Sequence, residues 1–198
     1  PGFATATTFN EMLTERNIRG LLPPWSFCVG ENHTVFDFRQ GVMEEYLSDV
    51  PSSRLEHFPH RITEGAGRCM REHEDEIVDL RFFVSGRVDD VLVNLIVDTG
   101  SDSTVLFLPN LDSTSSLIEN SRMTDATYCR MFGSCEAIYE SDTLLSFGSM
   151  TQGATITIID EVEEYECPAI IHGLLGMDIL QNCILDAQGV SMEVFCAS

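Results

Sequence analysis

Lysine is absent from this chain. All 11 basic side chains are arginine, set against 32 acidic ones, and the net charge is −21. A phosphate backbone repels such a chain, so no nucleic-acid partner is expected. An anionic membrane surface is disfavoured for the same reason. Long apolar runs are missing too. No stretch approaches the roughly 20 residues that a membrane-spanning helix needs, and no basic, apolar leader opens the sequence. No internal repeat occurs. There is no CxxC, and His172 follows Cys167 without other candidate ligands nearby, so neither a metal nor another cofactor is expected. The seven cysteines are odd in number and form no dense framework. They read as reduced thiols, several of them buried, which favours a cytoplasmic setting. One N-x-T sequon, Asn32-His33-Thr34, matters only if the chain is secreted.

What is present suffices for a core. Of 198 residues, 43% are hydrophobic, enough for one domain with an appendage or two small ones. The pattern divides near residue 76. Residues 1–76 read as a helical or irregular segment: a propeptide, a dimerisation arm or a helical domain. Thr8 and Glu11 have capping-box spacing ahead of Phe9, Met12 and Leu13, with Gly20 as a stop. Asp37 and Gln40 repeat that spacing, and Phe38, Val42, Met43, Tyr46 and Leu47 form one apolar stripe, which predicts a helix over 38–49. A weaker helix is predicted over 61–75. The charge run from Arg71 to Glu76 reads as a solvated face or linker.

From Ile77 the period becomes that of strands. "IVDLRFFVSG" and "VLVNLIVDTG" read as a strand pair turning at Arg87–Asp90, and "STVLFLP" as a third strand ended by Pro109. "ATYCRMFGSCEAIYE" reads as a Gly-centred hairpin. "DTLLSFGSM" and "ATITIIDEV" read as another, turning at 151–153. "PAIIHGLLG" is a short strand, "MDILQNC" a short helix and "ILDAQGVSMEVF" a closing hairpin turning at 187–189. Short strands with frequent turns predict a mainly β domain over 77–198, a sandwich or barrel.

One turn carries a charge in an unusual place. Asp98 follows "LIV" and precedes Thr99, Gly100 and Ser101, after which "TVLFL" resumes. D-T-G-S is ordinary turn chemistry. Apolar strands on both flanks, however, place this turn in the core, where a carboxylate is costly unless paired, hydrogen-bonded or protonated. A second apolar strand ending in glycine, "IIHGLLGMDIL", opens the C-terminal helix.

Together, "IVDTGSDSTVL" and "LLGMDIL" resemble the two motifs of retropepsin-like aspartic proteases, the retroviral, retrotransposon and related cellular single-lobed enzymes. The resemblance covers residues 77–196. It implies a closed β-barrel of the acid-protease fold with one short C-terminal helix. It also implies an aspartic endopeptidase in which Asp98 is catalytic and no cofactor takes part. Thr99 and Gly100 support the site, and Ser101 and Asp102 contact the substrate backbone. Only one D-T-G occurs, because Asp142-Thr143 is followed by leucine. The family's second carboxylate then comes from a second copy of the chain, in a homodimer that holds an extended polypeptide. The Gly-centred hairpin becomes a flap with its tip at Phe132, Gly133 and Ser134, flanked by Cys129 and Cys135 at cross-strand spacing. Where retroviral enzymes have Gly-Arg-Asn, this chain has Gly176-Met177-Asp178, so the dimer support of that arginine is missing. "VSMEVF" is a candidate intersubunit strand instead. The alternative reading is a catalytically inactive, protease-like module for dimerisation or peptide binding.

Overall fold

The computed structural model describes residues 32–47, 49–63, 67–73, 76–111, 116–129, 135–160, 167–188 and 191–197. The chain is mainly β, built around a closed six-stranded barrel. Its strands are β5 (Glu76–Val88), β6 (Val91–Val97), β11 (Gly173–Leu175), β7 (Val105–Phe107), β10 (Met150–Ile159) and β9 (Cys135–Phe147), in that spatial order. Pairing of Arg87 with Ser146 and of Val88 with Leu145 joins β5 to β9 and closes the ring. Two strands flank it: β4 (Gly67–His73) pairs with β5, and β8 (Arg122–Cys129) pairs with β9.

Alternation along the strands explains the packing. Val93 and Leu95 of β6 point into the barrel with Val84, Leu106, Leu145, Ile156 and Leu175, all buried. Ile96 and Leu174 point the other way, into a second cluster with Phe83, Val105 and Phe107. Each fully buried side chain of this kind contributes about 1.5–3 kcal/mol, so strands apolar on both faces are trapped between two layers.

A second, five-stranded sheet runs β2 (Val42–Tyr46), β1 (His33–Asp37), β12 (Cys183–Gln188), β13 (Ser191–Cys196) and β3 (His60–Arg61). A small cluster of Val35, Phe58 and Ile184 packs beside the short helix α1 (Ser52–Leu55). Two further short helices are α2 (Ser116–Asn120) and α3 (Met177–Leu180).

The segment before residue 76 departs from expectation. Residues 38–41 are a turn and 42–46 are strand, so the helix predicted over 38–49 is absent. The spacing signal was chemically sound, because Asp37 Oδ1 does accept the Gln40 amide at 3.0 Å. Gly41, at φ +63°, then reverses the chain into β2. An Asx turn and a helix cap share that first bond, and the pairing of β1 with β12 decides between them. Among the described residues of 61–75, β3 and β4 stand in place of the predicted helix; Arg71, Glu72 and His73 of the charge run lie in β4 and Glu76 begins β5. The helix expected after Thr8 lies outside the described residues.

The later hairpins agree more closely. The β5–β6 turn falls at Asp89-Asp90. The β9–β10 turn falls at Gly148-Ser149 instead of 151–153. Gly148 has φ +53°, and a Cβ there would lie 2.3 Å from the Arg61 carbonyl oxygen, which only glycine avoids. In the closing hairpin β12 continues to Gln188, which pairs with Ser191. Residues 191–195 of "VSMEVF" belong to β13, which is flanked by β12 and β3 of the same chain, so among the described residues the sheet edges are β2 and β3. The cysteines also correct expectation. Cys69 bonds to Cys167, and Cys183 to Cys196 directly across the β12–β13 pair.

Candidate active site

Two parallel strands end side by side. In β6 and β11, Leu95 pairs with Gly173 and Val97 with Leu175, so the next residues, Asp98 and Gly176, leave the barrel rim together. The Asp98 amide donates to the Leu175 carbonyl at 3.0 Å, which fastens the first loop to the second strand.

Small residues allow the two loops to interlock. The Met177 amide donates to the Ser101 carbonyl at 2.8 Å and the Asp178 amide to the Asp102 carbonyl at 3.1 Å. The Gly176 amide donates to Thr104 Oγ1 at 3.2 Å, and that hydroxyl donates in turn to Asp178 Oδ1 at 2.8 Å. The same carboxylate oxygen accepts the Ile179 amide at 3.0 Å. A Cβ on Gly176 would fall 2.3 Å from the Ser103 carbonyl oxygen, so the approach is closed to any other residue without a backbone shift. Thr104 is fully buried. Leaving its hydroxyl unmade would strand two polar partners at about 1–3 kcal/mol.

Within the first loop, the Gly100 amide donates to Asp98 Oδ1 at 2.9 Å and the Ser101 amide to the Asp98 carbonyl at 3.3 Å. Ser101 Oγ donates to the Ser103 carbonyl at 2.7 Å. One carboxylate oxygen is thereby oriented, and among the described residues the other has no hydrogen-bond partner. The expectation of a fully buried turn holds for Ser101 and Thr104 but not for the tip. Asp98 is half-buried, while Thr99, Gly100 and Asp102 are exposed.

The sequence-named residues Asp98, Thr99, Gly100, Ser101 and Asp102 thus share one loop, docked on residues 175–178. Phe132, Gly133 and Ser134 lie outside the described residues. The strands on either side of them pair, with Cys129 directly opposite Cys135 at the ends of β8 and β9. Asp142 sits on the barrel wall in β9, where it accepts the Thr155 hydroxyl at 2.7 Å. Thr104 and Asp178 were not singled out from sequence. Threonine in "STVL" and aspartate at the second position after a motif glycine carried the signal, but only the tertiary contact gives it meaning.

At the far end of β11, His172 Nδ1 accepts the Asn94 amide at 3.1 Å, which assigns the remaining proton of the neutral ring to Nε2. Burial holds this histidine below its ordinary value. The neighbouring backbone is tied down as well, the Asn94 and Asn110 side chains donating to the Ile170 and Ile171 carbonyls at 2.8 and 2.6 Å.

No protein-family model matches the sequence, and no curated protein does. Among solved structures the chain is similar to a retropepsin-like aspartic protease from Rickettsia conorii, at 16% identity and a TM-score of 0.43. That likeness covers 68% of this chain and 92% of the other.

Proposed function

We propose that this chain is an aspartic endopeptidase that acts as a symmetric homodimer on extended polypeptide, with Asp98 of each copy at the two-fold axis. The observation that carries the reading is the interlock of loop 98–104 with residues 175–178. It presents a half-buried carboxylate at a rim, orients one oxygen through the Gly100 amide, and leaves Thr99 and Gly100 exposed where a second copy can meet them.

Two carboxylates in contact hold one proton between them, since both cannot ionise at that distance. The ionised member takes a proton from water as the water oxygen attacks the scissile carbonyl carbon. The protonated member donates to the carbonyl oxygen. Proton transfer to the amide nitrogen then breaks the C–N bond. Thr99 joins the two loops, Ser101 and Asp102 hold the substrate backbone, and Phe132, Gly133 and Ser134 close over it and exclude water. Such a pair works only while one proton is shared, so the rate falls as pH rises toward neutrality.

Peptide cleavage against pH, with sedimentation in parallel, tests this. Wild type is expected to cleave at acidic pH as a dimer. Asp98→Asn, which keeps an oxygen for the Gly100 amide, is expected to lose at least about 100-fold in rate while remaining folded. Cleavage that survives the substitution, or full activity from a monomer at high dilution, would sink the proposal. A wild type that dimerises without cleaving any peptide would instead identify a protease-like binding module.

A further inference from the structure

Three observations meet at the start of the five-stranded sheet. Asn32 opens the Asn-His-Thr sequon and immediately precedes β1, and its amide Nδ2 donates to Glu45 of β2 at 2.7 Å in an exposed setting. Among the described residues, strand β2 is an edge of that sheet. On and beside it Val42, Met43 and Leu47 are 40%, 56% and 87% exposed. Glu44 and Glu45 put charge in the middle of this edge, while Val42, Met43 and Leu47 leave its two ends apolar, where it can template another chain. Finally, two intrachain disulfides, Cys69–Cys167 and Cys183–Cys196, belong to an oxidising compartment. That is the setting in which such sequons are modified.

We propose that Asn32 is an N-glycan acceptor and that the glycan covers the edge strand β2. The donor is a lipid-linked pyrophosphate oligosaccharide. A bond forms between Asn32 Nδ2 and the anomeric carbon of the sugar. The bond from that carbon to the pyrophosphate oxygen breaks, the pyrophosphate leaves with the electron pair, and Nδ2 gives up one of its two protons. Transfer precedes folding, so Thr34, buried in the finished β1, is still open to the transferase. After folding, the contact that the side chain makes among the described residues is the one with exposed Glu45. His33 pairs with Tyr46 and Asp37 with Val42, so Asn32 lies at the Tyr46 end of β2 and a sugar there covers Met43 and Val42 by extending along the strand.

The full chain, given a cleavable secretion signal, is expressed in glycosylating eukaryotic cells and recovered from the medium and the endoplasmic reticulum. Digestion with peptide-N-glycosidase F is expected to remove one glycan and convert Asn32 to aspartate in the peptide map. Asn32→Gln abolishes the shift, and Thr34→Ser, which keeps the sequon, retains it. Protein stripped of the glycan is expected to aggregate more readily, and Val42→Lys with Met43→Lys to restore solubility. Unmodified Asn32 in folded wild type would overturn the assignment. A stripped protein as soluble as the glycosylated one would overturn the covering role. Neither outcome depends on proteolytic activity, so failure here is separable from failure of the protease reading.

Discussion

The rim around Asp98 and the five-stranded sheet are closed by opposite means. At the rim, backbone meets backbone through glycine, serine and threonine, and few of the joining groups are apolar. In the sheet, closure relies on a cross-strand disulfide and on charge pairs. Arg54 of α1 reaches Asp37 at 2.6 Å and Glu44 at 3.0 Å, and His33 contacts both oxygens of Asp186 at 3.0 Å. The first arrangement leaves an exposed tip held in a defined place. The second spends polar groups on holding strands together. Position matters at the rim, and stability at the sheet.

Substitutions can break that contrast, beginning with the largest expected effect. Removing the sheet disulfide by Cys183→Ala with Cys196→Ala releases a short loop, and the model-dependent entropy of its closure is worth about 3 kcal/mol. A urea titration is expected to show that loss, with peptide cleavage by the folded fraction unchanged. Equal loss of cleavage per folded molecule would erase the distinction between the regions.

At the rim, Gly176→Ala forces the Ser103 backbone aside. Overpacking of this kind costs about 1–3 kcal/mol. Here cleavage is expected to fall much further than stability does, through kcat more than KM. Thr104→Val removes the hydroxyl that serves both the Gly176 amide and Asp178, at about 1–3 kcal/mol. Thr104→Ser should restore both stability and rate. If valine and serine behave alike, the relay has no positioning role.

The smallest effect concerns His172, away from both regions. Its folded value lies below the ordinary 6.5 because of burial. The unfolded chain therefore takes up the proton first as pH falls. The contribution is complete above about pH 6.5 and is lost as pH drops through the lowered folded value. The urea midpoint of wild type is expected to decline between pH 7 and 5, and His172→Asn to lessen the decline. A variant with an unchanged slope would show that other groups set it.

Local signals are legible where a single residue dictates a single geometry. The apolar runs of β6 and β11, the turn at Asp89-Asp90, the short helix after Gly176 and the D-T-G-S loop all lay in the chain order and periodicity. They were legible because strand alternation and turn chemistry act within a few residues. The region before β5 departs from its local signals for the same reason. Asp37 and Gln40 make the bond that helix caps make, yet β1 finds its partner about 150 residues later in β12, and that long-range ladder outweighs a local preference. The disulfides are likewise set by the fold, since count and spacing carry no information on which thiols it brings together.

Chain order alone established a β domain with one unusual carboxylate and a glycine strand end to match it. Tertiary packing determined that the two motifs touch, that Thr104 and Asp178 join them, and that the tip of the loop stays exposed. It did so because hydrogen bonds between residues more than seventy positions apart exist only once the barrel has closed.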